Sequence, residues 1–301
     1  MLEMQTRFLV VIIMIRHATF VLLSLFLTPC LAAPQSDSES RKGTVVVIGH
    51  SKRKIVVAAD SRAVAISGFS DSMCKIMELS KHSVFTGAGS AVHGDGKTVY
   101  WNAYVEAVLA FKEAQGSDDP DVLRTAATNW GNRFTTVVNQ ALKVDPTGSL
   151  QLVHENRVFN GSFLGFENGV AETYQVEIIF DPLTGQAKKL VDVGRQEATL
   201  LFGAAGRNEV VVEVFQGRSD FGKSEQRKWG MFVQGIPPKD RDVYWAMRLV
   251  ELTMAYHPNK SEVGGPIDAV EITAQGIRWI QCKPQCPCQN APANSVKSSL
   301  N

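Results

Sequence analysis

A glycine followed by a threonine, Gly43-Thr44, stands at the start of the first Val- and Ile-rich segment of the chain. A threonine hydroxyl is a poor nucleophile unless a base lies beside it, and a free α-amino group on the same residue can act as that base. Thr44 gains such an amine only if the chain is cut before it. Gly43 offers an unhindered carbonyl and permissive backbone angles for this cleavage. The pair therefore predicts an autoprocessed threonine nucleophile, with Gly43 as the processing point.

Two charged residues, Asp60 and Lys75, are candidates for tuning this nucleophile. The apolar segments 44–50 and 54–60 predict a β-hairpin, which returns Asp60 to the neighbourhood of Thr44. A lysine close to a threonine hydroxyl favours the alkoxide and disfavours protonation of a nearby amine, while a carboxylate keeps that lysine charged and in place. Taken singly, each of these residues is more often structural than catalytic, since threonine is common in strands and lysine is common on surfaces.

The same residues belong to a longer pattern. The hairpin ends in Ala58-Ala59-Asp60-Ser61-Arg62-Ala63, and Cys74-Lys75-Ile76-Met77-Glu78-Leu79 follows shortly after it. Together with Gly43-Thr44, this pattern resembles the start of a proteasome β-type subunit, a family of N-terminal-nucleophile hydrolases. The spacing of threonine and aspartate equals that of the family, and the lysine lies one residue closer than usual. Farther along, the Gly264-Gly265 turn resembles the family's turn before its closing strands, so the similarity spans about 44–281.

The resemblance implies a fold, an activity and a set of roles. The fold is α+β, a four-layer αββα sandwich, and the activity is that of a threonine-type endopeptidase taking part in proteolysis of a peptide or protein substrate. Thr44 is then the nucleophile, with Asp60 and Lys75 as its electrostatic partners and Arg62 in support. The segment Gly87-Ala88-Gly89-Ser90 resembles the turn before the family's first helix, and the amide of Gly87 or Gly89 would bind the oxyanion. This chemistry requires no metal and no organic cofactor.

Two places differ from the family pattern. The later segment Gly203-Ala204-Ala205-Gly206 has no hydroxyl where the family usually carries a serine between glycines. Lys260 and Val263 stand where an aspartate and a serine usually precede the Gly-Gly turn, although Ser261 and Glu262 are adjacent. Because these groups assist proton handling around the terminal amine, two alternatives stay open. One is a catalytically silent binding or scaffold protein, and the other is an amidase that acts on small non-peptide amides.

Composition and charge restrict the class of protein and its partners. The 301 residues are 45% hydrophobic, which is enough for a sizeable core, and 31 basic residues nearly balance 30 acidic ones. Such a balance argues against nucleic acid or an anionic membrane as the main partner, because the summed field attracts neither. Self-association is expected to be weaker than a closed proteasome barrel, since the polar segments 216–240 and 283–301 could block a ring interface.

The N-terminus predicts export. Residues 1–33 contain a basic region, a short apolar run and Ala32-Ala33 at the end, the layout of a secretory signal peptide. A membrane anchor would need the two apolar runs of this region to be continuous, and Arg16 and His17 interrupt them. The polar residues 34–43 then form a propeptide or linker. We expect a secreted or periplasmic protein with no other membrane segment, whose translation starts at Met1 or Met14.

The rest of the chain predicts one hydrolase domain over 44–282, in which antiparallel strands form two facing sheets and helix pairs cover both outer faces. A low-complexity Cys/Pro tail follows at 283–301. The predicted strands are 44–50, 54–60, 73–79, 83–87, 150–154, 161–166, 173–180, 187–193, 267–272 and 277–281; the predicted helices are 97–115, a second one after Pro120, 206–215 and 241–256; and 216–240 is expected to be irregular.

Four cysteines follow the predicted signal peptide. Cys74 lies in an apolar strand and is expected to be a small core residue. Cys282, Cys286 and Cys288 lie close together, and in an oxidising compartment a pair among them could close a small disulfide loop. A zinc site there would need a fourth ligand, and no His or Cys follows these three in the sequence.

Overall fold

The computed structural model describes residues 44–65, 68–95, 97–192, 201–258 and 262–288. The expected signal peptide, the expected propeptide with Gly43, and most of the expected tail lie outside these ranges, as do Lys260 and Ser261. Within the described part, the protein has a mixed α+β fold built on antiparallel sheets.

The elements follow one another in the order strands, helices, strands, helices, strands. They are β1 (Val45–His50), β2 (Ile55–Ala59), β3 (Ala63–Ala65), β4 (Gly68–Ser70), β5 (Ile76–Ser80), β6 (Ser83–Gly89), β7 (Val92–Gly94), β8 (Val99–Asn102), α1 (Ala103–Gln115), α2 (Val122–Val144), α3 (Pro146–Gln151), β9 (Arg157–Glu167), β10 (Val170–Asp181), β11 (Gln186–Asp192), β12 (Leu201–Gly206), α4 (Glu209–Gln216), α5 (Asp220–Phe232), a 3₁₀ turn (Val233–Gly235), α6 (Arg241–Tyr256), β13 (Asp268–Thr273) and β14 (Gly276–Gln281).

Two five-stranded sheets form the centre of the fold. The first has the strand order β12-β1-β2-β13-β14, and the second has the order β11-β10-β9-β6-β5. Every neighbouring pair in both sheets is antiparallel. Two short hairpins, β3-β4 and β7-β8, lie outside these sheets.

Three apolar clusters show how the sheets and helices are layered. One cluster joins α1 and α2 to the second sheet, and another joins α4 and α6 to the first sheet. The third cluster contains residues of both sheets and therefore lies between them. Helices thus cover the outer face of each sheet, and the two inner faces share a core.

Strand β1 shows why its sequence is apolar at nearly every position. Val45 and Val47 pack in the cluster with the helices, whereas Val46 and Ile48 pack in the cluster between the sheets. Successive side chains of a strand point to opposite faces, so a central strand covered on both faces needs a continuous apolar run rather than an alternating one. The same burial pattern holds for every residue of β2.

Three predicted segments were wrong in whole or in part. The helix expected over 97–115 begins only at Ala103, because 99–102 form β8. Residues 150–154 were expected to form a strand, but 150 and 151 are the end of α3 and 152–154 lie between this helix and β9. Pro146 starts the helix, and the Asp145 side chain accepts a hydrogen bond from Gly148 N at 3.0 Å. Residues 216–240 were expected to be irregular, yet they contain α5. The Ser219 side chain caps this helix by accepting from Gly222 N at 2.9 Å. The buried residues of α5 are only Gly222 and Glu225, so it lacks the apolar stripe that predicts a helix.

The cysteines also differ from expectation. Cys74 is not a free core residue, because it forms a disulfide with Cys286, with a Cα–Cα distance of 5.6 Å. The remaining pair, Cys282 and Cys288, closes the small loop that was predicted. The first part of the expected tail is therefore joined to the strand region around residue 74 and is part of the folded domain.

Helix lengths and compositions also bear on membrane association. Across the part of the chain that the structure describes, no helix combines the length and apolar character needed to cross a membrane.

The two disulfides predict different losses of stability when they are removed. Cys74–Cys286 spans 212 residues of sequence and Cys282–Cys288 spans 6. Since the entropy that a cross-link removes from the unfolded chain grows with loop length, a Cys74→Ala/Cys286→Ala variant should lose about 5 kcal/mol of unfolding free energy and Cys282→Ala/Cys288→Ala about 2 kcal/mol. Denaturant unfolding of both variants beside the parent measures the difference. Equal losses would contradict the long cross-link's role in stability.

Candidate active site

Thr44 is held by the ends of two strands beside it. It directly precedes β1, and its carbonyl oxygen accepts a hydrogen bond from Arg207 N at 2.7 Å, just past the end of β12. The next residue, Val45, donates its N–H to Asp60 Oδ1 at 3.0 Å and accepts from Asp60 N at 3.2 Å. The pairing of β1 with β2 therefore places Asp60, which follows β2, opposite Val45 and next to Thr44.

Lys75 reaches Thr44 and Asp60 at the same time. Its Nζ donates to Thr44 Oγ1 at 2.8 Å and to Asp60 Oδ1 at 2.8 Å. The lysine lies just before β5, with 2% of its surface exposed, and its carbonyl oxygen accepts from Thr86 Oγ1 at 2.8 Å and from the Tyr104 hydroxyl at 3.3 Å. The second sheet and α1 thus fix the backbone from which the ammonium group extends towards the threonine.

Asp60 has both carboxylate oxygens occupied. Oδ1 accepts from Val45 N and from Lys75 Nζ, and Oδ2 accepts from Arg62 N at 3.2 Å and Gly264 N at 3.1 Å. The side chain is fully buried. A buried charge is tolerated when it is paired and hydrogen-bonded, so these four donors explain how the aspartate can remain charged in the core.

The electrostatics of Lys75 follow from its burial. Loss of water lowers the pKa of its ammonium group, and the carboxylate of Asp60 opposes this change through charge and hydrogen bonding. Two further charges contribute, because Lys283 lowers and Asp268 raises the same pKa. A lysine of this kind is a cation with little hydration, so its field acts strongly on the neighbouring Thr44 hydroxyl.

Arg62 supports the site through the loop after β2. Its guanidinium forms a bidentate pair with Asp71, with distances of 2.7 and 2.8 Å, which raises the pKa of Arg62 and lowers that of Asp71. Its Nη1 lies 3.4 Å from the Val263 carbonyl oxygen, and its backbone N–H donates to the Gly264 carbonyl at 3.0 Å. A Cβ at Gly264 would lie 2.6 Å from Arg62 Cζ, so only glycine allows this turn to pack against the arginine.

The two glycines predicted near the oxyanion lie in the last part of β6. Gly89 has a φ of +117°, and a Cβ there would lie 2.6 Å from the Val158 carbonyl oxygen. A Cβ at Gly87 would lie 2.4 Å from the Asn160 carbonyl oxygen. Close packing on β9 therefore explains both glycines. The end of β6 also approaches the threonine, because a Cβ at Gly206 would lie 1.9 Å from Thr44 O and 3.1 Å from Ala88 Cβ.

Two residues at which the sequence departs from the proteasome pattern, Ala204 and Val263, have apolar surroundings. Val263 is 2% exposed and packs in the cluster with α4 and α6, and Ala204 contacts the same cluster. Near them, Glu262 Oε2 accepts from Arg207 Nε at 2.7 Å, which links this acidic residue to the loop that binds the Thr44 carbonyl. A carboxylate is therefore present beside the site, at a different position from the one the family uses.

Sequence reasoning missed two charged residues, Asp268 and Lys283. Both are buried, and they form an ion pair with each other. Asp268 is the first residue of β13, a position that resembles any polar strand end, and Lys283 lies among the cysteines of the expected tail. Lys283 lies three residues before Cys286, which is joined to Cys74 by a disulfide. The spacing of the cysteines in the sequence does not determine this pairing.

One group of carboxylates has a geometry that could hold a cation. Oxygens of Asp121, Glu167 and Glu172 lie within 4.8 Å of one another. The Tyr174 hydroxyl lies 2.7 Å from Glu172 Oε2 and 3.0 Å from Asp121 Oδ1, and burial raises the pKa of Glu167 to about 7. The raised pKa of Glu167 and the Tyr174 hydroxyl between the other two carboxylates both reduce the repulsion, so the cluster has an explanation that needs no metal. It shares no residue with the Thr44 site.

Comparisons of the sequence with protein families and with curated proteins found no match. No protein-family model matches the chain, and no curated protein gives a significant match. The arrangement around Thr44 is therefore interpreted from its contacts and charges.

The buried pair of Lys75 and Asp60 predicts a strong energetic coupling. Lys75→Met removes the cation and leaves Asp60 buried and unpaired, which should cost about 3–5 kcal/mol of unfolding free energy. Adding Asp60→Asn removes the uncompensated charge, so the double variant should recover a substantial part of the loss.

Denaturant unfolding of the two single variants and the double variant measures this coupling. Lys188→Met, which removes an exposed lysine of β11 from a surface ion pair with Asp181, serves as the control and should change stability little. Additive losses in the double-mutant cycle would show that the two charges are not paired in the folded protein.

Proposed function

We propose that the protein is a threonine-type endopeptidase, in which Thr44 becomes the N-terminal nucleophile after cleavage at Gly43-Thr44. The observation that carries this proposal is the position of Lys75 Nζ, 2.8 Å from both Thr44 Oγ1 and Asp60 Oδ1 in a buried setting. A structural lysine needs only its carboxylate partner. A lysine that also contacts a threonine hydroxyl stabilises negative charge on that oxygen.

The proposed reaction uses the α-amine and the hydroxyl group of Thr44. The α-amine of processed Thr44 takes the hydroxyl proton as Oγ1 attacks the carbonyl carbon of the scissile bond, and the charge of Lys75 stabilises the developing alkoxide. Collapse of the tetrahedral species passes the proton from the amine to the departing amine of the substrate and leaves an ester on Thr44. Water, deprotonated by the same α-amine, then hydrolyses the ester and releases the acid product.

The end of β6 is the proposed oxyanion site. Pairing of β5 with β6 ends at Thr86 in the described part of the chain, so Gly87 and Gly89 extend beyond β5 while β9 covers their other edge. Backbone N–H groups on an edge without a strand partner are suitable donors for an oxyanion. The approach of Ala88 to Gly206 and the Thr44 carbonyl supports this assignment.

The proteasome-like fold is part of the proposal. Its support is the stacking of helices, sheet, sheet and helices, with the first hairpin carrying Thr44 and Asp60 into the central layers. Secretion through the signal peptide 1–33 is supported by the two disulfides, since such bonds persist in oxidising compartments. We propose a small species, monomer to dimer, although α5 shows that 216–240 is more ordered than its composition predicts.

A second candidate function is a silent binding or scaffold protein on the same fold. The observation that favours it is the apolar packing of Val263 and Ala204, where the resemblance expects hydroxyl groups. An amidase for small non-peptide amides would use the same Thr44 machinery and would differ only in its substrate.

The proposal predicts the N-terminus of the mature protein. Intact-mass and N-terminal analysis of the expressed full-length chain should find Thr44 as the first residue. Thr44→Ala should block this processing and leave residues 34–43 attached, whereas Thr136→Ala, at an exposed position of α2, should process normally. A stable start near Pro34 in the unsubstituted protein would contradict the catalytic proposal and favour the scaffold.

The proposal also predicts covalent capture at Thr44. A peptide β-lactone acylates nucleophilic hydroxyl groups, so peptide mapping should place its adduct on Thr44 of the mature protein. Lys75→Met in a processed form, produced with Thr44 already at the N-terminus, should slow labelling by about 10²–10³-fold because one preorganised charge at the nucleophile is lost. A normal labelling rate in this variant would remove Lys75 from the mechanism.

A further inference from the structure

We propose that the Lys283–Asp268 ion pair is a positioning device for Lys75, which fixes the segment carrying this lysine and keeps its charge directed at Thr44. The catalytic consequence rests on the function proposed above, whereas the effect on Lys75 itself can be measured without any activity.

Lys283 is a buried lysine that makes three polar contacts with two residues, Asp268 and Met73. Its Nζ contacts Asp268 Oδ2 and donates to the Met73 carbonyl oxygen at 2.8 Å, while its backbone N–H donates to Asp268 Oδ1 at 3.1 Å. The side chains of Lys283 and Asp268 are 2% and 1% exposed. Burying two charges costs free energy that a surface position would avoid, so their location calls for a specific explanation.

The Lys283–Asp268 pair contacts the chain next to both Asp60 and Lys75. Asp268 is opposite Ala59 in the register of β13 and β2, and Ala59 immediately precedes Asp60. On the other side, Lys283 holds the carbonyl of Met73, two residues before Lys75. One ion pair therefore contacts the backbone segments that deliver both members of the Lys75–Asp60 pair.

A covalent bond holds Lys283 in this place. Cys286, three residues after Lys283, is joined to Cys74, the residue immediately before Lys75. Cys286 Sγ also lies 3.9 Å from Asp268 Oδ2. The segment around Lys283 is thus tied to the Lys75 segment by a disulfide on one side of the ion pair and by the Met73 hydrogen bond on the other.

The charges of the pair act on Lys75 with opposite signs. Lys283 lowers the pKa of Lys75 and Asp268 raises it, while burial raises the pKa of Asp268. If Lys283 were neutral, the Asp268 carboxylate would compete with Asp60 and Thr44 for the Lys75 ammonium group. Lys283 therefore neutralises a second carboxylate that would otherwise draw the ammonium group away from the threonine.

Two other titratable groups near Lys75 have hydrogen-bond partners of their own. Asp71, whose pKa the charge of Lys75 lowers, is held by Arg62, and Tyr104 donates its hydroxyl to the Lys75 carbonyl. The charged and titratable groups that face Lys75 from its neighbouring elements are Asp60 after β2, Asp71 in the loop before β5, Tyr104 in α1, Asp268 in β13 and Lys283 after β14.

The test measures the pKa of Lys75 in the full chain by NMR of ¹³C-labelled lysine, with its signal assigned by its loss in Lys75→Arg. Lys283→Met should raise the pKa of Lys75 and Asp268→Asn should lower it, each by about one unit, because one charge of the pair is lost. The double variant, which loses both charges, should return the pKa close to that of the parent. Lys283→Arg, which keeps the cation, should leave it unchanged.

A purely structural ion pair would lower stability without moving the pKa of Lys75. The proposal is overturned if the pKa stays constant in all variants, or if both single substitutions move it in the same direction. Should Lys283→Met fail to fold, Lys283→Gln replaces it, since glutamine keeps a donor for the Met73 carbonyl and removes the charge.

The consequence for reactivity is measured separately with the peptide β-lactone. In the mature protein, Lys283→Met should slow labelling of Thr44 about tenfold and the double variant should restore part of the rate. If the unsubstituted protein is never labelled, the proposed function fails, but the NMR measurement still decides whether the pair sets the charge of Lys75. Normal labelling of Lys283→Met together with a shifted pKa would overturn the catalytic consequence alone.

Discussion

A lysine ammonium group buried between two strand ends is the interaction on which the rest of this site depends. The ammonium group of Lys75 donates hydrogen bonds to Thr44 Oγ1 and Asp60 Oδ1, each at 2.8 Å. Such a charge is tolerated only if its partner is fixed. Asp60 is fixed by the N–H groups of Val45, Arg62 and Gly264, so one ion pair explains the hairpin, the loop after it and the Gly-Gly turn.

The two sheets have different tasks in this arrangement. The first sheet supplies Thr44 and Asp60 from the adjacent strands β1 and β2, and the second sheet supplies Lys75 at the start of β5. The site therefore lies between the two sheets, and the sequence neighbours Val46, Ala59 and Ile76 belong to the apolar cluster that joins the inner faces. Helices on both outer faces bury the apolar side chains of those faces, and Tyr104 of α1 donates its hydroxyl to the Lys75 carbonyl oxygen.

The C-terminal segment completes the charge balance. Lys283 and Asp268 form a second buried pair next to the first, and the Cys74–Cys286 disulfide joins this segment to the residue before Lys75. Two cations and two carboxylates then share one buried region. Net neutrality reduces the cost of burying them, and the hydrogen bonds of each pair set which charge faces which partner.

The sequence alone determined the hairpin, the main helices and the identity of three residues that meet at one place, Thr44, Asp60 and Lys75. These follow from local causes: continuous apolar runs in β1 and β2, an apolar stripe in α6, and a register that returns Asp60 to the start of β1. Only the tertiary structure decided that Cys74 pairs with Cys286 and that Lys283 contacts Met73, because each contact joins segments about two hundred residues apart. The spacing of the cysteines in the sequence does not specify how they pair. The same holds for α5, whose helical state depends on a cap and on packing rather than on its own apolar pattern.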